Sequence, residues 1–520
     1  MRRAILTHLW AQILLCVALV AVVNHLSAAR FVRLDLTVDR RHTLSPATVE
    51  VLAGLERPVV VRAWLSEGLQ PPYHDHTRQI WELLEELRAR SGGRLLLERV
   101  DPDGDRSLAA QAERAGVHPL PLRRQVGRSA ELRQVFLGVS LESGDRAAAA
   151  DGLVRAEGLE EELLRALIAV TTPEGQRPTL AYVQGHGEPD LSAFPEQHPL
   201  GKLAAHLRVT GALAPLTLGG ADGVPGDVDA LLVIGSQAPW SAREVFQLDQ
   251  FLMRGGRAAL FLSSVRGDLA ALRADPVDHG LQGLLGHYGV RLDKSALIDR
   301  SHRERVTLPV EVGGRRHRVS LDYPLVPWTT DLSRELWPVR RLERVVLPFA
   351  SPVSLIEPLI PGVRGAVWAR SMEGSSAAHG LIHLDIEALS APPVAEEQGP
   401  FPVVVGLEGR LRSAFSGVGL PPLPSGEPAP EDPLSVLLDG EPSRLVVAGS
   451  SDMVANNLPL VENAVAWLLE DPRLAEVRGR RAQGAALPEL SPAQAWATRG
   501  LVVGTPLVLL WGALLLWRRR

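Results

Sequence analysis

Two long apolar segments, one near each end of the chain, constrain the fold more than any other feature. The sequence from Ala4 to Val23 is mostly apolar, and the segment from Leu501 to Trp517 contains no charged residue. About 20 apolar residues are enough for a helix to cross a bilayer. We therefore predict transmembrane helices at residues 4–26 and 501–517, with the main body of the chain between them.

The arginines that flank these segments indicate their orientation. Arg2 and Arg3 precede the first segment, and Arg518 to Arg520 follow the second. Because positive charge concentrates on the cytoplasmic side, we expect both termini in the cytoplasm and the main body in the periplasm, anchored to the inner membrane. Two alternatives stay open. The first segment is also compatible with a signal peptide cleaved near Ser27–Ala29, and the second with a buried amphipathic helix.

Composition excludes several classes of protein. A net charge of −5 gives no broad basic face, so we expect no nucleic-acid partner. Cys16, the only cysteine, lies inside the first apolar segment, which leaves the outer body without thiol chemistry. The only lysines, Lys202 and Lys294, do not stand in a Gly-rich phosphate-binding loop, so the chain is not itself an ATPase. We predict no cofactor, no metal and no catalytic residue, and hence a protein that is not an enzyme.

The first part of the body has the pattern of a small α/β domain, which we place at residues 43–172. Two apolar runs, Val59–Leu65 and Arg94–Val100, flank a segment with helical periodicity at Thr77–Arg90. This β-α-β order resembles a thioredoxin-like outline, although the Cys-x-x-Cys motif is missing.

The second part, residues 178–470, alternates strands and helices. Apolar strands are predicted at Thr179–Val183, Asp229–Ile234 and Ala258–Leu262, and such alternation is typical of a parallel sheet with helices on both faces. We predict a β-rich insertion at about 305–418, a mobile Pro-rich loop at 420–432 and a tether at 471–496 that leads to the second apolar segment.

Two polar constellations have simple structural explanations. His74 and His76 flank Asp75, but a pair of imidazoles in a loop binds a metal only with further ligands, so we favour a solvated helix start. Asp101, Asp103 and Asp105 imitate the start of a calcium loop, yet Ala112 stands where a bidentate acid is needed. We expect a turn at a strand end.

The third constellation, Gly185-His186-Gly187-Glu188, is the tentative ligand-binding site. It follows the predicted strand Thr179–Val183, and ligands of parallel sheets bind beyond the carboxyl ends of strands. His186 and Glu188 are side chains suited to acid–base work or ligand contacts. The alternative, which we favour, is a tight turn in which both glycines adopt unusual backbone angles.

Several motifs in order along the chain resemble a known family. They are Thr43-Leu44-Ser45, Val100-Asp101-Pro102, Tyr182–Glu188, Asp229–Gly235, the Ser241–Gly256 helix, Leu284–Val290 with Asp299, Pro402–Phe415, Arg444–Asn457 and the Arg-capped terminal segment. The combination resembles the gliding-motility-type (GldG-like) auxiliary subunits of ABC transporters, over nearly the whole chain.

The resemblance implies a non-enzymatic, membrane-anchored subunit that works with an ABC permease and a separate ATPase in gliding motility or envelope export. It also implies a flavodoxin-like, glutamine-amidotransferase-like central domain, a fold shared with a domain of intraflagellar-transport proteins. Since the outer body has no cysteine to act as the amidotransferase nucleophile, we do not expect that activity. A periplasmic ligand-binding domain, or an envelope-glycan-acting enzyme that uses the Gly185–Glu188 loop, is the alternative.

Overall fold

A computed structural model describes residues 44–69, 73–126, 129–154, 158–268, 273–312, 315–380, 382–390, 397–417, 419–423, 425–428 and 436–478. The predicted segments 4–26 and 501–517, and most of the predicted tether, lie outside these residues. Within the described ranges, every helix is too short or too polar to span a bilayer. Contacts divide the chain after Leu44, and all elements below belong to the second unit, Ser45–Arg520.

The elements of the first region are α1 (Pro46–Ala53), β1 (Val59–Leu65), α2 (His74–Arg90), β2 (Leu95–Val100), α3 (Arg106–Arg114), β3 (Leu120–Val126), β4 (Ser129–Val135), β5 (Leu137–Ser143), β6 (Arg146–Ala150) and α4 (Leu159–Thr171). Helix α1 begins at Pro46, where the Ser45 side chain accepts a hydrogen bond from the Thr48 N–H and Pro46 occupies the first turn.

A four-stranded sheet in the order β2-β1-β5-β6 forms this first region. Strands β1 and β2 are parallel, with Val59 opposite Leu95, so the predicted β-α-β unit is present. Strand β5 runs antiparallel to β1. Strands β3 and β4 form a separate two-stranded ribbon, which the sequence analysis did not predict.

The elements of the second region begin with β7 (Thr179–Gln184), α5 (Pro199–Thr210), β8 (Ala212–Thr217), β9 (Ala230–Ile234), α6 (Ala242–Met253), β10 (Arg257–Phe261), β11 (Val265–Asp268), β12 (Arg273–Pro276), α7 (Gln282–His287), β13 (Val290–Leu292) and β14 (Ser295–Ile298). They continue with β15 (Arg303–Val312), β16 (Arg315–Thr329), β17 (Val345–Val346), β18 (Val353–Leu355), β19 (Val363–Arg370), β20 (Ser376–His379), β21 (Ile382–His383), α8 (Ile386–Ser390), β22 (Glu397–Gln398), β23 (Pro402–Arg412), β24 (Asp439–Ala448), α9 (Met453–Asn456), α10 (Leu458–Leu468) and α11 (Arg473–Arg478).

A seven-stranded sheet in the order β19-β23-β24-β10-β9-β7-β8 forms the centre of the second region. Strands β24, β10, β9, β7 and β8 are parallel, as the strand–helix alternation predicts. One face packs under α5 and α10, with Leu203 and Leu460 buried against Tyr182. The other packs under α6, with Leu248 and Phe251 buried against Val183. The fold is therefore α/β, with apolar layers on both faces of the sheet.

The central sheet is mixed rather than parallel. Strands β23 and β19 continue it in antiparallel orientation, with Val405 of β23 opposite Val447 of β24. Both strands lie in the range predicted as a β-rich insertion. The sequence did not show this because buried strands have the same apolar pattern whichever sheet they join. The smaller sheets β11-β12-β21, β14-β20-β22, β15-β16-β17 and β13-β18 account for other short strands of that range.

Candidate functional site

The Gly185–Glu188 loop lies where the direction of the sheet connections reverses. Strand β7 is followed by α5 and β8 on one side, whereas β9 lies on its other side. Helices α5 and α6 consequently cover opposite faces of the sheet. The loops after β7 and β9 therefore diverge at a topological switch point, which is the usual ligand crevice in open α/β sheets.

The loop is a tight turn, as the favoured interpretation predicts. Gly185 has φ 133° and Gly187 has φ 87°, in the region that favours glycine. The His186 carbonyl accepts hydrogen bonds from the N–H groups of Gln237 (2.7 Å) and Ala238 (3.2 Å). The loop after β7 is thus fastened to the loop after β9.

Glu188 uses its carboxylate inside the protein. Its Oε2 accepts the backbone N–H of His186 at 2.6 Å, and its Oε1 accepts the Ser236 hydroxyl at 2.5 Å. The Ser236 oxygen in turn accepts the Trp240 Nε1–H at 3.0 Å. The Glu188 side chain is only 1 % exposed, so these bonds compensate for the loss of hydration.

The His186 ring lies between two carboxylates and beneath an indole. Its Nε2 is 3.2 Å from Oε1 of Glu244, and its Nδ1 is 3.3 Å from Oε1 of Glu188. The second contact lacks the alignment of a hydrogen bond. The ring stacks on Trp240 with centroids 5.1 Å apart and 18° between planes.

Glu244 joins this cluster from the start of α6. It forms a capping box with Ser241, in which each side chain accepts the other residue's backbone N–H. Burial alone would raise the pKa of Glu244, but the hydrogen bonds from Ser241 and His186 outweigh burial and lower this pKa below its ordinary value.

The arrangement is an interlocked cluster. A histidine between carboxylates has the chemistry of an acid–base pair, but the His186 side chain is only 7 % exposed. The Ser236 hydroxyl bonds to Glu188 and Trp240, so it is not activated as a nucleophile by His186. The ring therefore presents little surface to solvent.

Sequence reasoning found His186 and Glu188 but not their partners Ser236, Trp240 and Glu244. The signal that could have identified these partners is their position in the sequence. All three partners follow β9, which is predicted as an apolar strand of the same sheet, and the carboxyl ends of parallel strands share one edge.

Comparison with known families decides what the chain belongs to. The model of a family described as "ABC-type uncharacterized transport system" matches residues 177–470, more than half of the chain. The chain belongs to this family. A second model, of a domain of unknown function (DUF7088), matches residues 38–142. This ABC transport family is the auxiliary one that the motifs suggested, and membership supports an accessory role in an ABC system. A search of curated proteins gives no match.

Solved structures similar to this family member are distant. The mmIFT52 N-terminal domain is 14 % identical, with 56 % of this chain and 96 % of that chain covered and a TM-score of 0.33. A putative ThuA-like protein from Bacteroides uniformis is 13 % identical, with 58 % and 98 % covered and a TM-score of 0.28. An exo-β-1,4-mannosidase from an Opitutaceae bacterium is 10 % identical, with 83 % and 55 % covered and a TM-score of 0.21.

The other two constellations have structural roles in this family member. Asp105 caps α3 by accepting the N–H groups of Ser107 and Leu108, and Asp103 binds Ser66 and Arg133. The segment with Asp75 starts α2, as predicted. Among the residues that the structure describes, no group of three or more His, Cys, Asp or Glu side chains is placed to hold a metal ion.

Proposed function

We propose that the chain is a membrane-anchored, non-enzymatic extracytoplasmic accessory subunit of an ABC transport system. The family match over residues 177–470 is the observation that carries this proposal. The chain supplies no nucleotide-binding loop, since neither Lys202 nor Lys294 stands in one. Its partners are therefore a membrane permease and a separate ATPase.

The arginine-flanked apolar segments support anchoring at both ends. In this proposal residues 4–26 and 501–517 span the inner membrane, both termini are cytoplasmic and the body is periplasmic. A reporter that works only in the cytoplasm is expected to show activity when it is fused after Arg520. Activity of a periplasm-specific reporter at the same position would reverse the orientation.

The finer assignments of subtype and fold are part of the same proposal. The ordered motifs favour a GldG-like subunit that serves gliding motility or envelope export. The parallel β1–β2 pair favours a thioredoxin-like first domain, and the switch point between β7 and β9 favours a flavodoxin-like, amidotransferase-like second domain. Deletion of the gene is expected to impair surface spreading or export of an envelope component, and full rescue by the intact chain is the control.

Co-purification tests the central claim. From a mild detergent extract, the tagged full chain is expected to bring down a multispan permease and an ATPase that carries a phosphate-binding loop. A parallel purification of an unrelated membrane complex from the same extract controls for detergent damage. Recovery of the chain alone while the control complex survives would contradict the proposal.

The position of His186 between Glu188 and Glu244 supports a second candidate, a ligand-binding or glycan-acting domain that opens at the switch point. The double variant His186→Gln/Glu188→Gln separates the two functions. If the chain is a non-enzymatic accessory subunit, the folded variant is expected to bind the permease and the ATPase as the parent does. Cells that carry the variant are expected to show the parent phenotype. Loss of the phenotype with intact partner binding would favour the second candidate.

A further inference from the structure

The chain enters and leaves the described body at neighbouring helices. Helix α1 is the first described helix and α11 is the last, and the two pack against each other and against α4. The carboxylate of Glu50 on α1 acts electrostatically on Arg473, the first residue of α11. Arg473 is also held by Asp471 through two hydrogen bonds of 2.8 and 2.7 Å.

These helices lie at the amino edge of the seven-stranded sheet. Glu470, just before α11, pairs at 3.1 Å with Arg257, the first residue of β10. Asp471 and Leu474 line a small cavity together with Thr210, the last residue of α5, after which the chain enters β8. The Gly185–Glu188 loop lies at the other, carboxyl edge. Strand β7 has six residues, so the edges are about 20 Å apart at 3.3 Å per residue.

We propose that the face formed by α1 and α11, the chain-end face, lies against the lipid bilayer, and that the Gly185–Glu188 edge points away from it. This inference rests on the two membrane anchors of the proposed function. The occupant is a bilayer because each chain end continues, through residues 27–44 and 479–500, into an apolar segment long enough to cross one. Two anchors that continue from one face favour that face as the side nearest the membrane.

The orientation assigns different partners to the two edges. Contacts with a membrane-embedded permease fall on the chain-end face and its tethers. Any molecule that meets His186 or Glu188 approaches from the periplasmic side, away from the bilayer.

Energy transfer from the protein to the bilayer tests the orientation in the full chain. The background is Cys16→Ser, which removes the only cysteine. Ala53→Cys places a donor dye on α1, and Ala238→Cys places the same dye on the loop after β9; both alanines are exposed. The labelled chains are reconstituted into vesicles that contain acceptor-labelled lipid. We expect the larger loss of donor fluorescence for the dye at position 53.

Two outcomes overturn the inference and are distinguishable. If the chain floats with the vesicles but the dye at position 238 loses as much fluorescence as the dye at 53, or more, the orientation is wrong and the anchoring stands. If the chain does not float with the vesicles, the anchoring fails and the orientation fails with it. Matched melting temperatures of the two labelled variants exclude misfolding as the cause of a difference.

Discussion

At the scale of single residues, Glu188 tests whether the switch-point cluster stabilises the fold. In Glu188→Gln one carboxylate oxygen becomes an amide NH₂, while both of its partners, the His186 N–H and the Ser236 hydroxyl, donate. If the amide oxygen keeps the His186 N–H, the NH₂ faces the Ser236 hydroxyl, and the hydrogen of that hydroxyl loses its acceptor. We expect the free energy of unfolding to fall by about 1–3 kcal/mol, measured as a lower melting temperature of the purified chain.

Glu196→Gln is the matched control for Glu188→Gln. Glu196 is exposed, and surface substitutions of this kind change stability by about 0.5 kcal/mol or less. Equal melting temperatures for the two variants would mean that the bonds of Glu188 do not stabilise the loop.

His279 carries a second residue-scale prediction, which concerns pH. The ring is fully buried and neither nitrogen has a hydrogen-bond partner among the described residues. Burial, opposed by the charge of Asp278 and reinforced by that of Lys294, lowers the pKa of His279 to about 4. Below about pH 6.5, His279 is therefore protonated in the unfolded chain but stays neutral in the folded chain. The free energy of unfolding consequently falls as the pH drops from about 6.5 to about 4.

His279→Leu removes this dependence. We expect the variant to be more stable than the parent at pH 5. The difference in free energy of unfolding between variant and parent is expected to be about 2 kcal/mol larger at pH 5 than at pH 8, since one pKa unit corresponds to about 1.4 kcal/mol. Melting curves at several pH values measure the difference. His383→Leu, at an exposed position of β21, controls for the loss of a histidine as such. If the difference in stability between His279→Leu and the parent stays constant across this range, the pKa of His279 is not lowered in the folded protein.

At the scale of elements, a buried ionic joint connects α4 of the first region to α10 of the second. Nη2 of Arg165 lies 2.7 Å from Glu161 on its own helix and 3.2 Å from Glu462 on α10, and all three side chains are at most 5 % exposed. Glu462 also contacts Nδ1 of His206 on α5 at 2.6 Å. The joint thus holds three helices together across the predicted boundary at residues 172–178.

A double-mutant cycle measures this joint. Arg165→Met removes the guanidinium that contacts the buried carboxylates of Glu161 and Glu462, and removal of one partner of a buried pair costs about 3–5 kcal/mol. We expect Arg165→Met/Glu462→Met to be destabilised by clearly less than the sum of the single variants. The exposed pair Arg62–Glu98, substituted in the same way, is expected to couple by about 1 kcal/mol or less. Additive effects at Arg165 and Glu462 would contradict the joint.

The same scale shows what the sequence could and could not predict. Capping and periodicity are local signals, so the start of α1 at Ser45 and the Ser241–Glu244 box on α6 were predictable. Sheet membership is not local. Strand β23 pairs with β24 although 26 residues, including a Pro-rich loop, separate Arg412 from Asp439. For the candidate site, the turn at Gly185–Glu188 could be predicted, whereas the contact of His186 with Glu244 depends on a loop and a helix start that meet only in the folded sheet.

At the scale of the whole molecule, the predicted tether begins with structure. Residues 473–478 form α11, which packs on α1 and α4. The first and last described helices are therefore in contact, and residues 473–478 of the predicted tether belong to the folded body.

Chemical cross-linking tests this closure directly. In the Cys16→Ser background, Glu50→Cys and Arg473→Cys are the only thiols. Because their parent side chains interact across α1 and α11, a short bifunctional thiol reagent is expected to join them within one chain. The full chain in detergent is treated, digested and examined by mass spectrometry for the linked peptides. The pair Glu50→Cys and Ala238→Cys, which places the second thiol at the carboxyl edge, is expected to give no such product. Linkage of the control pair, or failure of the first pair while both thiols react singly, would show that the two ends of the body do not meet.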